Sequence, residues 1–117
     1  MADPIADPAV SWQHDGLAED LARHLRSTGD RVVWCNIPLG QAGSIRPDCL
    51  AMDKSFASPR FTAYEVKVSR ADFAGDVNAG KWRGYLQVAE AVYFAVPDGL
   101  VKRSQIPDDA GLMVRAA

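Results

Sequence analysis

The first regular pattern in the chain is a row of leucines. Leu17, Leu21 and Leu25 are four residues apart, so they lie on one face of a helix. Asp15 precedes the row and is suited to cap a helix through its carboxylate. The spacing therefore predicts an amphipathic helix over residues 16–27.

Runs rich in β-branched and aromatic residues follow this helix and predict strands. In the clearest of them, apolar Tyr64 and Val66 alternate with Glu65 and Lys67, so the two charged side chains share one face. The predicted strands are residues 31–38, 45–52, 61–69, 91–96 and 111–114.

Two further helical segments are predicted between the third and fourth strands, a short one at residues 71–76 and a longer one at residues 81–90. On the longer one, Trp82, Leu86 and Ala89 share the face that would pack against the sheet. The element order is then α-β-β-β-α-β with a final short strand. This order predicts an α/β domain with a mixed central β-sheet flanked by helices.

Length and composition limit the kinds of protein that this chain can be. Its 117 residues suit one domain of the usual size, about 100–200 residues, which we assign to residues 14–117 after a flexible lead-in at residues 1–13. With 48% hydrophobic and 24% charged residues, the composition is that of a globular protein. No apolar run reaches the roughly 18–20 residues of a membrane span, and the amino terminus does not resemble a signal peptide. We therefore expect a soluble, cytoplasmic protein with no membrane partner.

Charge is distributed unevenly along the chain. The formal net charge of −2 argues against a protein that holds nucleic acid by bulk charge alone. Residues 54–103, however, carry eight basic and five acidic side chains, whereas residues 1–53 carry four and eight. The middle of the chain is thus mildly basic.

The cysteines and histidines form no metal-binding motif. Cys35 and Cys49 lie in predicted strands, where we expect buried free thiols. His14 and His24 have neither a cysteine nor an acid at ligand spacing. We therefore assign no chemistry to either histidine.

Chemistry is concentrated instead in two neighbouring predicted strands. Asp48 lies near the start of one, and Glu65 and Lys67 project from one face of the next. If these strands are antiparallel neighbours, Asp48 approaches Glu65, and two close carboxylates repel each other unless a cation lies between them. Oxygen ligands of this kind suit Mg²⁺ or Mn²⁺. Such an ion can polarise a phosphodiester and lower the pKa of a bound water, with Lys67 stabilising negative charge on the phosphate.

The alternative interpretation of these three residues involves no chemistry. In it, Glu65 and Lys67 form a solvent-facing pair on a strand, and Asp48 is an aspartate in a turn.

The arrangement of these residues resembles that of a known nuclease superfamily. Pro47-Asp48 followed by Glu65-Val66-Lys67, within this element order, resembles the PD-(D/E)XK nucleases, which have a restriction-endonuclease-like core. More narrowly, roughly residues 15–115 are similar to the MmcB-related DNA repair proteins. The segments that carry this similarity are Glu65-Val66-Lys67-Val68-Ser69-Arg70-Ala71-Asp72-Phe73, Lys81-Trp82 with Tyr85-Leu86, Val92-Tyr93-Phe94-Ala95-Val96-Pro97 and Gly111-Leu112-Met113-Val114.

The resemblance implies roles for individual residues. Asp48 and Glu65 correspond to acids that bind Mg²⁺ or Mn²⁺, Lys67 to the catalytic lysine, and the backbone carbonyl of Val66 to a third protein ligand. Many members add a glutamate from the first helix, where Glu19 is the only candidate. Because Glu19 faces away from the leucines, we expect it to be solvated and to pair with Arg23 instead.

Several residues near the motif are further candidates. Arg70, Lys81 and Tyr85 could contact DNA phosphate or support the site. Asp72 and Asp76 either reach the metal or cap a helix or are solvated, and we favour the capped or solvated state.

These observations predict a metal-dependent deoxyribonuclease of DNA repair or related DNA processing. DNA is its expected partner, with a second copy of the chain or a repair protein as a further one. The alternative is a catalytically silent DNA-binding or adaptor module that keeps the nuclease fold. RNA also stays open as a substrate, because no feature of the sequence distinguishes a 2′-hydroxyl.

Overall fold

The computed structural model describes residues 11–55 and 57–116, which form a layered α/β structure. Its strands make a five-stranded sheet in the order β1-β2-β3-β4-β5, antiparallel from β1 to β3 and parallel from β3 to β5. The predicted fold class, a mixed sheet flanked by helices, is confirmed. The elements are α1 (His14–Arg26), β1 (Arg31–Cys35), β2 (Cys49–Asp53), β3 (Phe61–Val66), α2 (Arg70–Ala79), β4 (Ala91–Pro97) and β5 (Gly111–Arg115), with short 3-10 helices at Gln41–Gly43, Lys81–Gln87 and Arg103–Gln105.

Hydrophobic clusters cover both faces of the sheet. On one face, the predicted leucine row of α1 is buried against side chains such as Val33, Ala51 and Val66. On the other, the region between β3 and β4 packs against the sheet through a second group of buried residues. This group includes Leu50, Ala63, Phe73, Trp82, Tyr85, Val92 and Phe94. Successive residues of β3 enter opposite clusters, as strand alternation requires.

The residues just before α1 contact the core. Residues 1–10 of the predicted lead-in lie outside the described residues. Trp12, near its end, packs against the cluster beneath α1, and the Arg115 guanidinium lies 5.7 Å from its ring centroid. The N-cap of α1 is Gln13, which makes no side-chain capping bond, rather than the predicted Asp15.

The first three strands are shorter than predicted. β1 ends at Cys35 because Asn36 has a left-handed backbone with φ 55°, which asparagine tolerates better than most residues. β2 begins only at Cys49, since Pro47 has no N–H for the ladder. β3 ends at Val66 rather than at residue 69. Cys49 is buried as expected, whereas the expectation of a buried Cys35 is wrong, because its side chain is exposed at the end of β1.

The relative lengths of the two later helices are reversed from the prediction. α2 extends from Arg70 to Ala79, with the Ser69 hydroxyl accepting the N–H of Asp72 at 3.2 Å. Gly80 ends it in a left-handed conformation with φ 71°. The following segment forms the 3-10 helix Lys81–Gln87 instead of the predicted α-helix.

The 3-10 geometry changes which face of this segment is buried. Side chains three residues apart eclipse one another in a 3-10 helix, so Trp82 and Tyr85 are both buried. Leu86, which an α-helix would have turned toward the sheet, is 39% exposed. The prediction that Trp82 belongs to the core is confirmed.

None of the helices within residues 11–55 and 57–116 is long and apolar enough to cross a membrane.

The leucine row predicts a specific pattern of stability. Leu25 is fully buried, so Leu25→Ala should lower the free energy of unfolding by about 2–5 kcal/mol through lost burial and the cavity left behind. The same change at half-exposed Leu86 should cost about 0.5 kcal/mol or less. Urea unfolding followed by circular dichroism measures both, and equal losses would contradict the assignment of α1 to the core.

Candidate active site

Asp48 and Glu65 lie next to each other, one residue beyond the last pair of the β2–β3 ladder. Cys49 pairs with Tyr64 in antiparallel register, which sets Asp48 opposite Glu65 one position further on. Oδ2 of Asp48 accepts a hydrogen bond from the backbone N–H of Val66 at 2.7 Å. The expectation that antiparallel pairing brings the two acids together is confirmed.

Lys67 follows the end of β3 and turns to the same side as Glu65. Its Nζ lies 3.6 Å from Oε2 of Glu65 and 3.1 Å from Oδ2 of Asp76. The side chains of Lys67, Glu65 and Asp76 are only 15%, 6% and 3% exposed. Glu65 and Lys67 therefore do not form the solvent-facing pair of the alternative interpretation.

Asp76 belongs to this cluster. We expected it to cap a helix or to be solvated, and only the first of these is right. Its Oδ1 accepts the backbone N–H of Trp82 at 3.2 Å, so it does cap the 3-10 helix Lys81–Gln87. It is buried rather than solvated, however, and its other oxygen faces Lys67. The last two turns of α2 thus supply a third carboxylate to the site.

Tyr85 reaches the same carboxylate from the 3-10 helix. Its hydroxyl oxygen is 3.1 Å from Oε2 of Glu65 and 3.3 Å from the backbone carbonyl oxygen of Arg46. A phenol has one proton, so it donates to one of these two acceptors at a time. The prediction of Tyr85 as a residue that supports the site agrees with this position.

His14, to which the sequence assigned no chemistry, is also at the site. It is the first residue of α1, with Nε2 3.2 Å from Oδ2 of Asp48 and Nδ1 3.1 Å from Oδ1 of Asp15. Spacing along the chain gives no indication of the contact with Asp48, because it depends on where α1 crosses the sheet. The first turn of α1 therefore contributes to the site, contrary to the expectation from the sequence.

The other residues predicted near the site are placed as follows. Glu19 is exposed on α1, and its expected pairing with Arg23 is wrong, since Arg23 contacts Asp20 at 3.5 Å. Asp72 is exposed in the first turn of α2. Arg70 donates from Nε to the Leu100 carbonyl at 2.9 Å and from a terminal nitrogen to the Gly99 carbonyl at 3.1 Å, which attaches α2 to the turn after β4. Lys81 is exposed at the start of the 3-10 helix.

The cluster has more negative than positive groups. Asp48, Glu65 and Asp76 face a single ammonium, that of Lys67, together with the His14 ring. Burial raises the pKa of Glu65, and the negative charge of Asp48 raises it further, while Lys67 opposes the change, so that this pKa reaches about 8. Glu65 therefore holds a proton at neutral pH when nothing else compensates its charge.

The pKa values of three neighbouring groups, Lys67, His14 and Tyr85, are raised as well. Burial lowers the pKa of Lys67, but its hydrogen bond to Asp76 and the charge of Glu65 outweigh that effect and raise it overall. Burial likewise lowers the pKa of His14, and the bond to Asp15 and the charge of Asp48 outweigh it, so this pKa is also raised. Burial and the proximity of Glu65 raise the pKa of Tyr85, which keeps its hydroxyl protonated.

Two oxygen atoms at this site have acceptor capacity to spare. Oε1 of Glu65 is buried with no hydrogen-bond partner among the described residues. The β2–β3 register, extended past Cys49 and Tyr64, sets Val66 opposite Pro47, which has no N–H to donate to the Val66 carbonyl. Such oxygens fit a hard divalent cation. In the part of the chain that the structure describes, no three His, Cys, Asp or Glu side chains are grouped so as to hold a metal. The donor set would therefore have to be two carboxylates and a carbonyl.

Comparison of the chain with protein-family models, with curated proteins and with solved structures finds no match in any of the three.

The raised pKa of Glu65 predicts how stability depends on pH. The folded-state pKa of Glu65, about 8, exceeds the ordinary value of 4.5, so the folded chain holds the proton more tightly than the unfolded chain does. The stability that this proton contributes is complete below pH 4.5 and is lost as the pH rises through about 8. In the presence of a chelator, Glu65→Gln should remove this loss. The variant should be more stable than the unmodified protein near pH 8 by about 1–3 kcal/mol.

Urea unfolding at several pH values between about 5 and 8 measures this effect. Glu19→Gln makes the same chemical change at an exposed position and should leave the pH dependence as it is. The raised pKa of His14 leaves a smaller pH dependence in Glu65→Gln, whereas a dependence of undiminished size would show that Glu65 is not responsible.

Proposed function

We propose that this chain is a Mg²⁺- or Mn²⁺-dependent DNA phosphodiester hydrolase of DNA repair or a related DNA-processing step, acting in the cytoplasm. In this proposal the sheet is a restriction-endonuclease-like core of the PD-(D/E)XK superfamily, similar to that of the MmcB-related proteins. The observation that carries it is the meeting of Asp48, Glu65 and Lys67 in one partly buried cluster at the end of β3.

Asp48, Glu65 and the Val66 carbonyl are the groups that would hold the cation. Oε1 of Glu65 has no protein partner, and Pro47 leaves the Val66 carbonyl without a ladder donor, so both oxygens are free to bind it. When bound, a divalent ion supplies Lewis-acid polarisation of a phosphodiester and a more acidic water.

Lys67 is suited to act on the phosphate or on the attacking water. An ammonium has three N–H donors, and that of Lys67 lies 3.1 Å from Oδ2 of Asp76 and, beyond hydrogen-bond distance, 3.6 Å from Oε2 of Glu65. Donor capacity is therefore left for a substrate oxygen, where the charge of Lys67 would stabilise negative charge as it develops. Asp76 is a positioning residue, because it holds the ammonium in place from α2.

Tyr85 and His14 orient the two carboxylates. The Tyr85 hydroxyl contacts Oε2 of Glu65, which leaves Oε1 as the oxygen available to a ligand. His14 and the Val66 N–H both contact Oδ2 of Asp48, and neither of them occupies its other oxygen. These contacts limit the rotation of both acids and reduce the entropy lost on binding.

DNA would be held mainly by contacts to its phosphates. The basic surplus of residues 54–103 includes Lys81, which is exposed at the start of the 3-10 helix that carries Tyr85. Because the chain is small and has a net charge of −2, a second copy of the chain or a repair protein would supply further contacts to DNA. Arg70 contributes through the loop that it anchors, because its guanidinium is bonded to backbone carbonyls.

The catalytic part of the proposal predicts Mn²⁺-dependent cleavage of DNA. Single-stranded, nicked, branched and damaged DNA would be incubated with the protein and Mn²⁺, and the products resolved by denaturing electrophoresis. Lys67→Ala and Glu65→Gln should each lower the cleavage rate by about a hundredfold or more, because each removes charge from the reacting centre. Glu19→Gln, the matched change on the exposed side of α1, should cleave as the unmodified protein does. The proposal is lost if no substrate is cut, or if the Lys67 and Glu65 variants cut at the full rate.

Metal binding predicts a separate change in thermal stability. A cation that binds only the folded protein stabilises it, so saturating Mn²⁺ should raise the melting temperature by about 4 °C or more. Asp48→Asn should lose this increase, whereas Asp108→Asn, at an exposed aspartate, should keep it. Equal increases in both variants would place the bound ion elsewhere.

A second candidate is a DNA-binding or adaptor module without catalysis. It is favoured by the lack, within the described ranges, of three grouped metal-ligating side chains. DNA binding that persists in a chelator and in Lys67→Ala, with no cleavage of any substrate, would support this candidate over the first.

A further inference from the structure

A pair of cysteines lies directly across the β1–β2 ladder, one residue along each strand from Asn36 and Asp48. Cys35 pairs with Cys49 in antiparallel register, and their sulfur atoms are 4.0 Å apart. Both thiols are free. The next pair along the ladder, Asn36 with Asp48, is joined by a backbone hydrogen bond of 3.2 Å.

The position of that bond defines the geometry of the cysteine pair. Hydrogen-bonded and non-hydrogen-bonded pairs alternate along an antiparallel ladder, so Cys35 and Cys49 form a non-hydrogen-bonded pair. Cα atoms in such pairs are about 4.5 Å apart, which is within the range of about 4.4–6.8 Å that a disulfide spans. Side-chain rotation alone can then bring the two sulfurs to bonding distance.

The two thiols differ in their access to solvent. Cys49 is fully buried, with its sulfur 3.8 Å from the carbonyl oxygen of Ala18, whereas Cys35 is exposed. Any reagent from solution therefore meets Cys35 first. The buried thiol is in place to react only with the Cys35 sulfur, once that sulfur is part of a mixed disulfide.

A groove of about 530 Å³ opens beside Cys35 against α1. It is lined by Glu19, Ala22, Arg23, Arg26, Ser27 and Cys35. The Arg26 guanidinium donates to the Val33 carbonyl at 2.8 Å, and Arg23 is three-quarters exposed. The groove thus has two guanidinium groups and one carboxylate, that of Glu19, and this balance favours anionic reactants such as small peptide disulfides that carry carboxylates.

We propose that Cys35 and Cys49 form an oxidisable dithiol site that reacts with a low-molecular-weight disulfide of the glutathione type. The Cys35 thiolate attacks one sulfur of the disulfide, whose S–S bond breaks and releases one thiol, leaving a mixed disulfide on Cys35. The Cys49 sulfur then attacks the Cys35 sulfur and displaces the second thiol. The two cysteine protons leave with the two released thiols, so one disulfide is reduced as the Cys35–Cys49 bond forms.

This dithiol site is independent of the proposed hydrolase activity. The new bond would tie the end of β1 to the start of β2 at the residue that follows Asp48. It would close a loop of the chain between the two strands and so restrict the unfolded state.

The experiment treats the full chain with oxidised glutathione, traps remaining thiols with N-ethylmaleimide and measures the intact mass. The unmodified protein should lose two hydrogens and take up no maleimide. Cys49→Ala should carry one glutathione, because the mixed disulfide cannot be resolved. Cys35→Ser should carry no glutathione and one maleimide after unfolding, since its remaining thiol is buried.

Circular dichroism checks that each variant is folded. If Cys49→Ala fails to fold, the oxidised, unmodified protein is digested and mapped under non-reducing conditions. A disulfide-linked peptide pair that contains Cys35 and Cys49 would then show the proposed bond. A protein that stops at the Cys35 adduct, forms only dimers through Cys35, or keeps both thiols would overturn the proposal.

Discussion

The burial of one carboxyl group, that of Glu65, is the constraint on which the site depends. An ionised carboxylate is costly to remove from water unless positive charge lies beside it. Here Lys67 is shared between Glu65 and Asp76, and Asp48 adds another negative charge. The cluster therefore reaches balance only when Glu65 takes a proton or when a cation joins it, and these two states compete with each other.

The sheet creates this situation by ending its hydrogen-bond ladder at a specific place. Pairing of β2 with β3 stops before Pro47, and the N–H of Val66 donates to the Asp48 carboxylate instead of to a backbone carbonyl. The same interruption leaves the Val66 carbonyl opposite a residue with no donor. The interruption thus gives one backbone donor to a carboxylate and leaves one backbone carbonyl without a ladder donor, so a small chain builds a polar site without long loops.

Local pattern predicted much of the fold and part of the site. The leucines of α1 and the alternation in β3 are periodic, and periodicity depends only on neighbours along the chain, so both elements and the shared side of Glu65 and Lys67 followed from it. The segment after Gly80 was predicted wrongly because its apolar residues satisfy a four-residue spacing and a three-residue spacing equally well. Asp76 capping Trp82 and the packing of Tyr85 decided in favour of the 3-10 helix.

The sequence by itself determined the order of elements, the mixed sheet and the approach of Asp48 to Glu65, since each depends on local period or on pairing of adjacent strands. Only the tertiary structure decided that His14 reaches Asp48, that Asp76 holds Lys67, and that Cys35 and Cys49 face each other with unequal access. Those contacts depend on how helices cross the sheet and on exact strand register. Both are determined by the packing of the whole core, which no short stretch of sequence encodes.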